Sequence, residues 1–170
     1  MLIILVLLLI ILLPVVYSSY LLAPPVPSPQ KVVEGMLRLA NVKSEDRVYD
    51  LGAGDGRIII TAAKQFGAKS VGFELSPVHF LITKFRIWKN HLNSKVKVKY
   101  QNFYRADLSL ASVITIFGHP TTMHRIRSKI IRKLNPITKV VSYAFPIKDM
   151  KPQKVLKLKN YAPIYLYEIK

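Results

Sequence analysis

The sequence predicts an α/β protein: a mainly parallel sheet closed by an antiparallel C-terminal hairpin and preceded by one transmembrane helix. Three observations carry this. From Arg47 onward, short runs rich in Val, Ile, Tyr and Phe alternate with helical segments, the pattern of strand–helix–strand units with right-handed crossovers. Only the short stretch after Ala144 separates the fifth such run from the sixth, and a parallel crossover needs about a dozen residues or more, so the tail is expected to fold back as a hairpin. Finally, residues 2–16, LIILVLLLIILLPVV, contain no polar side chain.

The apolar run continues past Tyr17, Ser18, Ser19 and Tyr20 to Ala23, and roughly twenty apolar residues suffice to cross the hydrocarbon core as a helix. A cleavable signal peptide would carry a basic region before the apolar run, and nothing lies between Met1 and Leu2 to supply one. Residues 1–23 are therefore expected to be a membrane anchor, with Tyr17 and Tyr20 near one headgroup layer. Residues 24–29 continue Ala23 as a proline-rich, stiff spacer, and residues 30–170 form the domain. Every charged side chain lies at or beyond Lys31, so the 26 Lys and Arg against 9 Asp and Glu, net +17, belong to the part outside the span. Positive flanks favour the cytoplasmic side, giving a single-pass protein with its N-terminus out and its domain in the cytoplasm. The same charge suits an anionic membrane surface or a nucleic acid, and composition does not separate these. Without cysteine there is no disulfide, no thiolate zinc site and no cysteine nucleophile.

In order along the domain, Ser28 and Pro29 read as the cap and first turn of a helix whose apolar positions Val32, Val33, Met36, Leu37, Leu39 and Ala40 recur at helical spacing to about Asn41. Strands are expected at 47–51, 70–75, 95–100, 112–117, 139–144, 153–159 and 163–169. Helices are expected at 57–66, 77–91 and 122–134, the second opened by Ser76 and Pro77 and the last followed by Pro136.

The chemistry concentrates at Val48-Tyr49-Asp50-Leu51-Gly52-Ala53-Gly54-Asp55-Gly56-Arg57. A strand ends in an acid, a glycine-rich turn follows, and a helix starts at once. Glycines at 52, 54 and 56 let the backbone turn sharply and approach a ligand. The spacing is not the G-x-G-x-x-G of dinucleotide binders, which seats a pyrophosphate on a helix N-terminus. Carboxylates at Asp50 and Asp55 would repel a pyrophosphate and suit a cation, such as the amino and sulfonium groups of S-adenosylmethionine. Glu74 ends the second strand, where a carboxylate can accept ribose hydroxyls. Asn102 follows the third strand and is placed to meet adenine, with Phe103 or Tyr104 able to stack and Asp107 as an alternative partner.

The run DLGAGDGRIIITAAKQFGAKSVGFELSP resembles the first motif and following acidic motif of class I S-adenosylmethionine-dependent methyltransferases, over about residues 28–170. PSPQKVVEGMLRLA, GDGRIII, ADLSLASVITIF and VVSYAFPI narrow the resemblance to the compact protein-lysine methyltransferases of the ADP/ATP carrier and the ATP synthase c-subunit, with their prokaryotic relatives. It implies a Rossmann-like sheet, S-adenosyl-L-methionine as cofactor and a protein lysine near the membrane as substrate. Carried over by position, it assigns cofactor contacts to Asp50, Gly52, Gly54, Gly56, Glu74 and Asn102, with Ala53 inside the turn and Phe103 beside Asn102 in the same set. The fourth strand ends Phe117-Gly118-His119-Pro120, which makes Phe117, His119 and Pro120 candidates for the catalytic side. His119 can relay a proton or simply sit at a loop mouth. Gly118-His119 departs from the aliphatic residues of the lysine group. Phe103, Tyr104, Phe117, Tyr143 and Phe145 are candidates to line a lysine channel or to be core. His79, His91 and His124 lack ligand spacing, so no metal is expected.

Two rival readings stay open. Net +17 motivates an RNA or DNA methyltransferase, although the [D/N/S]-P-P-[Y/F/W] box that holds a flipped base is missing. A non-catalytic domain keeping the cofactor fold is the other, and methylation of a lipid or quinone remains an option for a membrane enzyme.

Overall fold

In a computed structural model of the chain, residues 27–131 and 134–169 are described, together with Ile4, Val6, Leu8, Leu9, Ile10, Leu12, Leu13 and Val16, which are helical and exposed. The expected span over residues 1–23 otherwise lies outside the described residues, as do residues 24–26 of the spacer at 24–29. Among the described residues no helix is long and apolar enough to cross a membrane.

The domain starts with α1 (Gln30–Leu39), then β1 (Arg47–Leu51), α2 (Arg57–Phe66), β2 (Lys69–Glu74), α3 (Pro77–Lys89) and β3 (Val96–Tyr100). A 3-10 turn at Phe103–Arg105 leads to β4 (Val113–Ile116), α4 (Pro120–Lys129), β5 (Lys139–Tyr143), β6 (Lys154–Leu156) and β7 (Ile164–Glu168). The strands form one sheet in the order β3-β2-β1-β4-β5-β7-β6. The first five are parallel, while β7 runs antiparallel to both β5 and β6. The expected hairpin is therefore present, and its second strand fills the place beside β5, leaving the shorter β6 at the edge.

Alternation along the strands sorts the core. Tyr49 and Leu51 face α4, where Met123, Ile126 and Ile130 pack with Ile114, Ile116 and Tyr167. Val48, Val113 and Val141 point the other way, onto α1 and α2 through Val33, Met36, Leu37, Ile58 and Ala62. Ile87 of α3 joins Ile59 and Ile60 of α2 over Val96 on that same face. The β1 and α2 bounds match the sequence expectation. At α1 the cap differs: the helix begins at Gln30 with Pro29 as its cap residue, and no side chain caps it. Ser28 is instead buried, and its carbonyl accepts from Arg57 Nη1 at 2.6 Å. Ser76 does cap α3, accepting from the His79 amide.

Parallel register brings the C-terminal ends of β1, β2 and β4 together: Asp50 lies opposite Gly72 on one side and Thr115 on the other. Gly72 is what lets the turn after β1 fold against β2. A Cβ there would lie 2.6 Å from the Ala53 Cβ and 2.9 Å from the Ile59 Cδ1. Gly72→Ala is expected to destabilise the domain by about 1–3 kcal/mol through overpacking. Chemical denaturation reads this directly, and an unchanged midpoint would mean that the turn has room the structure does not show.

Candidate functional site

The turn 52–56 is built by its backbone and held from three sides. Gly52, Gly54 and Gly56 have φ of 94°, 54° and 78°, the left-handed region that costs a residue with a Cβ. The amides of Gly52 and Ala53 both donate to the Phe73 carbonyl, at 3.0 and 2.9 Å, and the Gly56 amide donates to the Ala53 carbonyl at 2.8 Å. The third restraint comes from α3. The fully buried Thr83 donates its hydroxyl to the Gly54 carbonyl at 2.7 Å, and its methyl occupies the space a Cβ on Gly56 would need. A Cβ on Gly54, by contrast, would meet nothing within 4 Å. The turn is thus closed on its helix side and open at Gly54, a cradle with room for a ligand.

Two carboxylates stand at this opening, and they differ in kind. Glu74 is 5% exposed, yet both its oxygens are satisfied by backbone. Oε2 accepts from the Gly54 amide at 2.7 Å, and Oε1 accepts from the amides of Leu75 and Ser76 at 2.8 and 2.7 Å. Three donors on two oxygens leave about one lone-pair position for a hydroxyl. Glu74 is therefore both the clasp of the turn and an acceptor aimed at it. Asp50 is 2% exposed, and among the described residues its one side-chain hydrogen bond is from the Thr115 hydroxyl at 2.8 Å. Burial pushes its carboxyl up to about 7, against the Thr115 hydrogen bond and with added repulsion from Glu74 and Asp55.

Asp55 does not join them. Arg57 Nε and Nη2 grip it at 2.9 and 2.8 Å, and Arg86 pairs with it from α3. Burial raises its carboxyl, but the Arg57 hydrogen bond and the charges of Arg86 and Arg57 outweigh this and hold it below the usual range. Of the two acids expected beside the turn, Asp50 alone remains to meet a cation. Asp55 instead ties α2 to α3.

The other expected residues divide. Asn102 caps the 3-10 turn, its Oδ1 accepting from the Tyr104 amide at 3.0 Å. Phe103, 3% exposed, packs in the core beside Tyr104 (centroids 4.4 Å apart). Asp107 is engaged with the Ser109 amide, 2.9 Å away. His119 caps α4; its Nδ1 sits 3.0 Å from the Thr121 hydroxyl and 3.4 Å from the Thr121 amide. Pro120 opens that helix. Phe117 and Tyr143, at the adjacent ends of β4 and β5, tilt together at 4.9 Å between centroids, and Phe145 is half-buried nearby in chain. Among the described residues no three His, Asp or Glu side chains gather to hold a metal.

Sequence reasoning did not single out Thr115, Thr83 or Gly72. Each had a faint signal: Thr115 is the one polar residue in VITI, Thr83 a threonine inside a helix, Gly72 a glycine inside a strand.

A pKa raised in the folded state favours the protonated form, so Asp50 contributes stability that is present below its unfolded value near 4 and lost as pH rises through about 7. In the ligand-free protein that loss runs at roughly 1.4 kcal/mol per pH unit within the window. Asp50→Asn is expected to flatten the dependence and to be more stable than the parent at pH 8. Denaturation at pH 5 and pH 8 measures both slopes, and equal slopes would place the titration elsewhere.

The chemistry of this donor set fits S-adenosylmethionine: an open glycine cradle, a buried acceptor with a free lone pair, and a second carboxylate that lacks a cation. Residues 50–154 match the ANTKMT methyltransferase domain family. A protein-lysine N-methyltransferase of Saccharolobus islandicus (strain REY15A) is 40% identical over 150 residues, covering 86% of this chain and 93% of that protein. The human lysine N-methyltransferase of the ATP synthase c-subunit is 31% identical over 132 residues, covering 78% of this chain and 56% of that protein. An RNA methyltransferase from Salinibacter ruber, solved with S-adenosyl-L-homocysteine, superposes with a TM-score of 0.82 at 34% identity, covering 85% of this chain and 94% of that one. The chain belongs to the ANTKMT methyltransferase domain family and is an S-adenosylmethionine-dependent methyltransferase.

Proposed function

We propose that the protein is a membrane-anchored protein-lysine N-methyltransferase acting on a membrane or membrane-associated protein. The observation that carries the reading is the 40% identity to a protein-lysine N-methyltransferase across nearly the whole of that relative. Relatives named for the ATP synthase c-subunit and the adenine nucleotide translocase, both membrane proteins, support the membrane part. So does the run over residues 2–16, whose described residues are helical, apolar and exposed. In this reading residues 1–23 span the bilayer with the N-terminus out, residues 24–29 are the spacer, and the domain from residue 30 faces the cytoplasm.

The cofactor is assigned to Asp50, Gly52, Ala53, Gly54, Gly56 and Glu74. Bound there, it supplies an electrophilic methyl group. Asp50, ionised above about pH 7, offers the charge that an ammonium needs, and a bound cation would draw its pKa back down. Glu74 keeps its remaining lone pair for a ribose hydroxyl. The Asn102 oxygen accepts one hydrogen bond from its own turn, which leaves its second lone pair and the amide nitrogen for the adenine. On the substrate side, Phe117 and Tyr143 form an aromatic wall at the ends of β4 and β5. Such a wall attracts a lysine cation and, by excluding water, favours its neutral form. His119 uses its Nδ1 in the helix cap, and Phe117, His119 and Pro120 remain the candidates for the substrate side.

The similarity to an RNA methyltransferase, together with net +17, sustains a second reading in which the substrate is RNA. The Phe117-Gly118-His119-Pro120 strand end offers no amide or carboxylate acceptor for a flipped base, which favours lysine. Tritiated S-adenosylmethionine incubated with the protein and a membrane extract is expected to label a small membrane protein, protease-sensitive and nuclease-resistant. Nuclease-sensitive label would replace the lysine reading with the RNA one. Full-length protein is expected to stay with the membrane pellet through a carbonate wash, and its release would replace the span with peripheral, charge-driven attachment.

A further inference from the structure

The helix α3 carries apolar side chains on two opposite faces. Its inner face is conventional: Thr83 and Ile87 are buried, the first against the glycine turn and the second over Val96. Its outer face bears Val78, Leu81, Ile82, Phe85 and Trp88, all exposed, with Leu81 at 62% and Trp88 at 63%. The spacing i, i+3, i+4, i+7 and i+10 makes a continuous stripe along the helix. The Phe85 and Trp88 rings lie 5.7 Å apart, and beside the helix Tyr100, exposed at the end of β3, meets Phe80 at the same distance. A contiguous apolar surface of this kind marks an interaction site.

Charge narrows the occupant. Between Leu75 and Ala106 the sequence has no Asp or Glu, and Lys84 and Lys89 stand exposed on α3 itself, while Lys97 and Lys99 of the neighbouring strand β3 are exposed on the opposite face of the sheet. Because β3 is the edge of the sheet, its lysines also oppose pairing with a second copy, which would bring like charges together. A nucleic acid would use the lysines but has no use for Val78, Leu81 and Ile82. An aliphatic stripe with Trp, flanked on its own helix by Lys84 and Lys89 and by no acid of that helix, has the composition of a helix that lies in a bilayer interface and faces anionic headgroups.

We propose that α3 is an interfacial docking helix that inserts Val78, Leu81, Ile82, Phe85 and Trp88 into an anionic lipid surface. The inference deepens the membrane reading above and rests on it for proximity to a bilayer. Its consequence is positional. The same helix braces the cofactor turn from its inner side, through Thr83 on Gly54 and Arg86 on Asp55. Docking α3 therefore sets the depth of the active site relative to the headgroups, rather than leaving it to swing on the spacer.

Trp88 is the single tryptophan of the chain, so its fluorescence reports this face alone. The experiment is full-length protein reconstituted into phosphatidylcholine vesicles containing phosphatidylglycerol, with and without lipids spin-labelled at a shallow acyl position. The expected result is emission shifted to shorter wavelength and quenched by the labelled lipid. The double variant L81E/F85E is expected to lose both effects while still floating with the vesicles and binding S-adenosylhomocysteine. Protein that floats with unquenched, solvent-like Trp88 emission overturns the docking helix and leaves the anchor standing. Protein that does not float at all overturns both. A shift to shorter wavelength that depends on protein concentration, without lipid quenching, overturns lipid in favour of a second copy; a change on adding RNA overturns it in favour of nucleic acid.

Discussion

The Glu74 carboxylate is the interaction on which the site depends. It ends the parallel strand β2, one in from the edge of the sheet, is nearly sealed from solvent, and gathers the amides of Gly54, Leu75 and Ser76 at 2.7–2.8 Å. Hydrogen bonds to an ionised acceptor are the strong kind, and one of these reaches across from β2 to the glycine turn. The turn is in turn fixed to the Phe73 carbonyl and to Thr83 of α3. One acid thus joins the end of β2, the turn after β1 and the start of α3 into a single rigid unit before any ligand arrives.

Three acids lie close together at this place, and the protein handles each differently. Backbone amides stabilise Glu74. Two arginines neutralise Asp55 and make it a strut between α2 and α3. Asp50 is left with one hydroxyl donor, and burial lifts its carboxyl to about 7. A buried group kept short of its preferred charge partner stores a capacity to bind a cation, and the amino group of S-adenosylmethionine is one. The helix that completes the cradle from its inner side, α3, also carries the exposed apolar stripe of Val78, Leu81, Ile82, Phe85 and Trp88 on its outer side.

Much of this was legible in the residues, for identifiable reasons. The β1–turn–α2 unit reads off the sequence because glycines with positive φ, a strand of Val and Tyr, and a helix beginning at Arg57 agree with one another. The antiparallel tail follows from chain length alone. What stayed hidden was partnership. Asn102 occupies the expected place after β3, but spacing does not say that the nearest free amide, that of Tyr104, captures its oxygen. Phe103 carries an aromatic ring at the right position along the chain, yet the turn rotates it into the core. Thr115 becomes visible as the partner of Asp50 only when parallel register sets the two opposite each other. His119 similarly follows the strand expected to face the substrate, and local geometry makes it a helix cap.

The central claim is that Glu74 serves the cofactor through its charge and its two acceptor oxygens together. Glu74→Gln separates these, since it keeps the shape but puts an amide nitrogen where one oxygen accepted backbone N–H groups. Calorimetric titration of the folded variant with S-adenosylhomocysteine is the direct measurement. The account predicts affinity lower by about 1–3 kcal/mol, roughly 5- to 150-fold, with a similar or larger loss for Glu74→Ala. Affinities equal to the parent protein's in both variants would contradict it and move the cofactor's hydroxyl contact away from the end of β2.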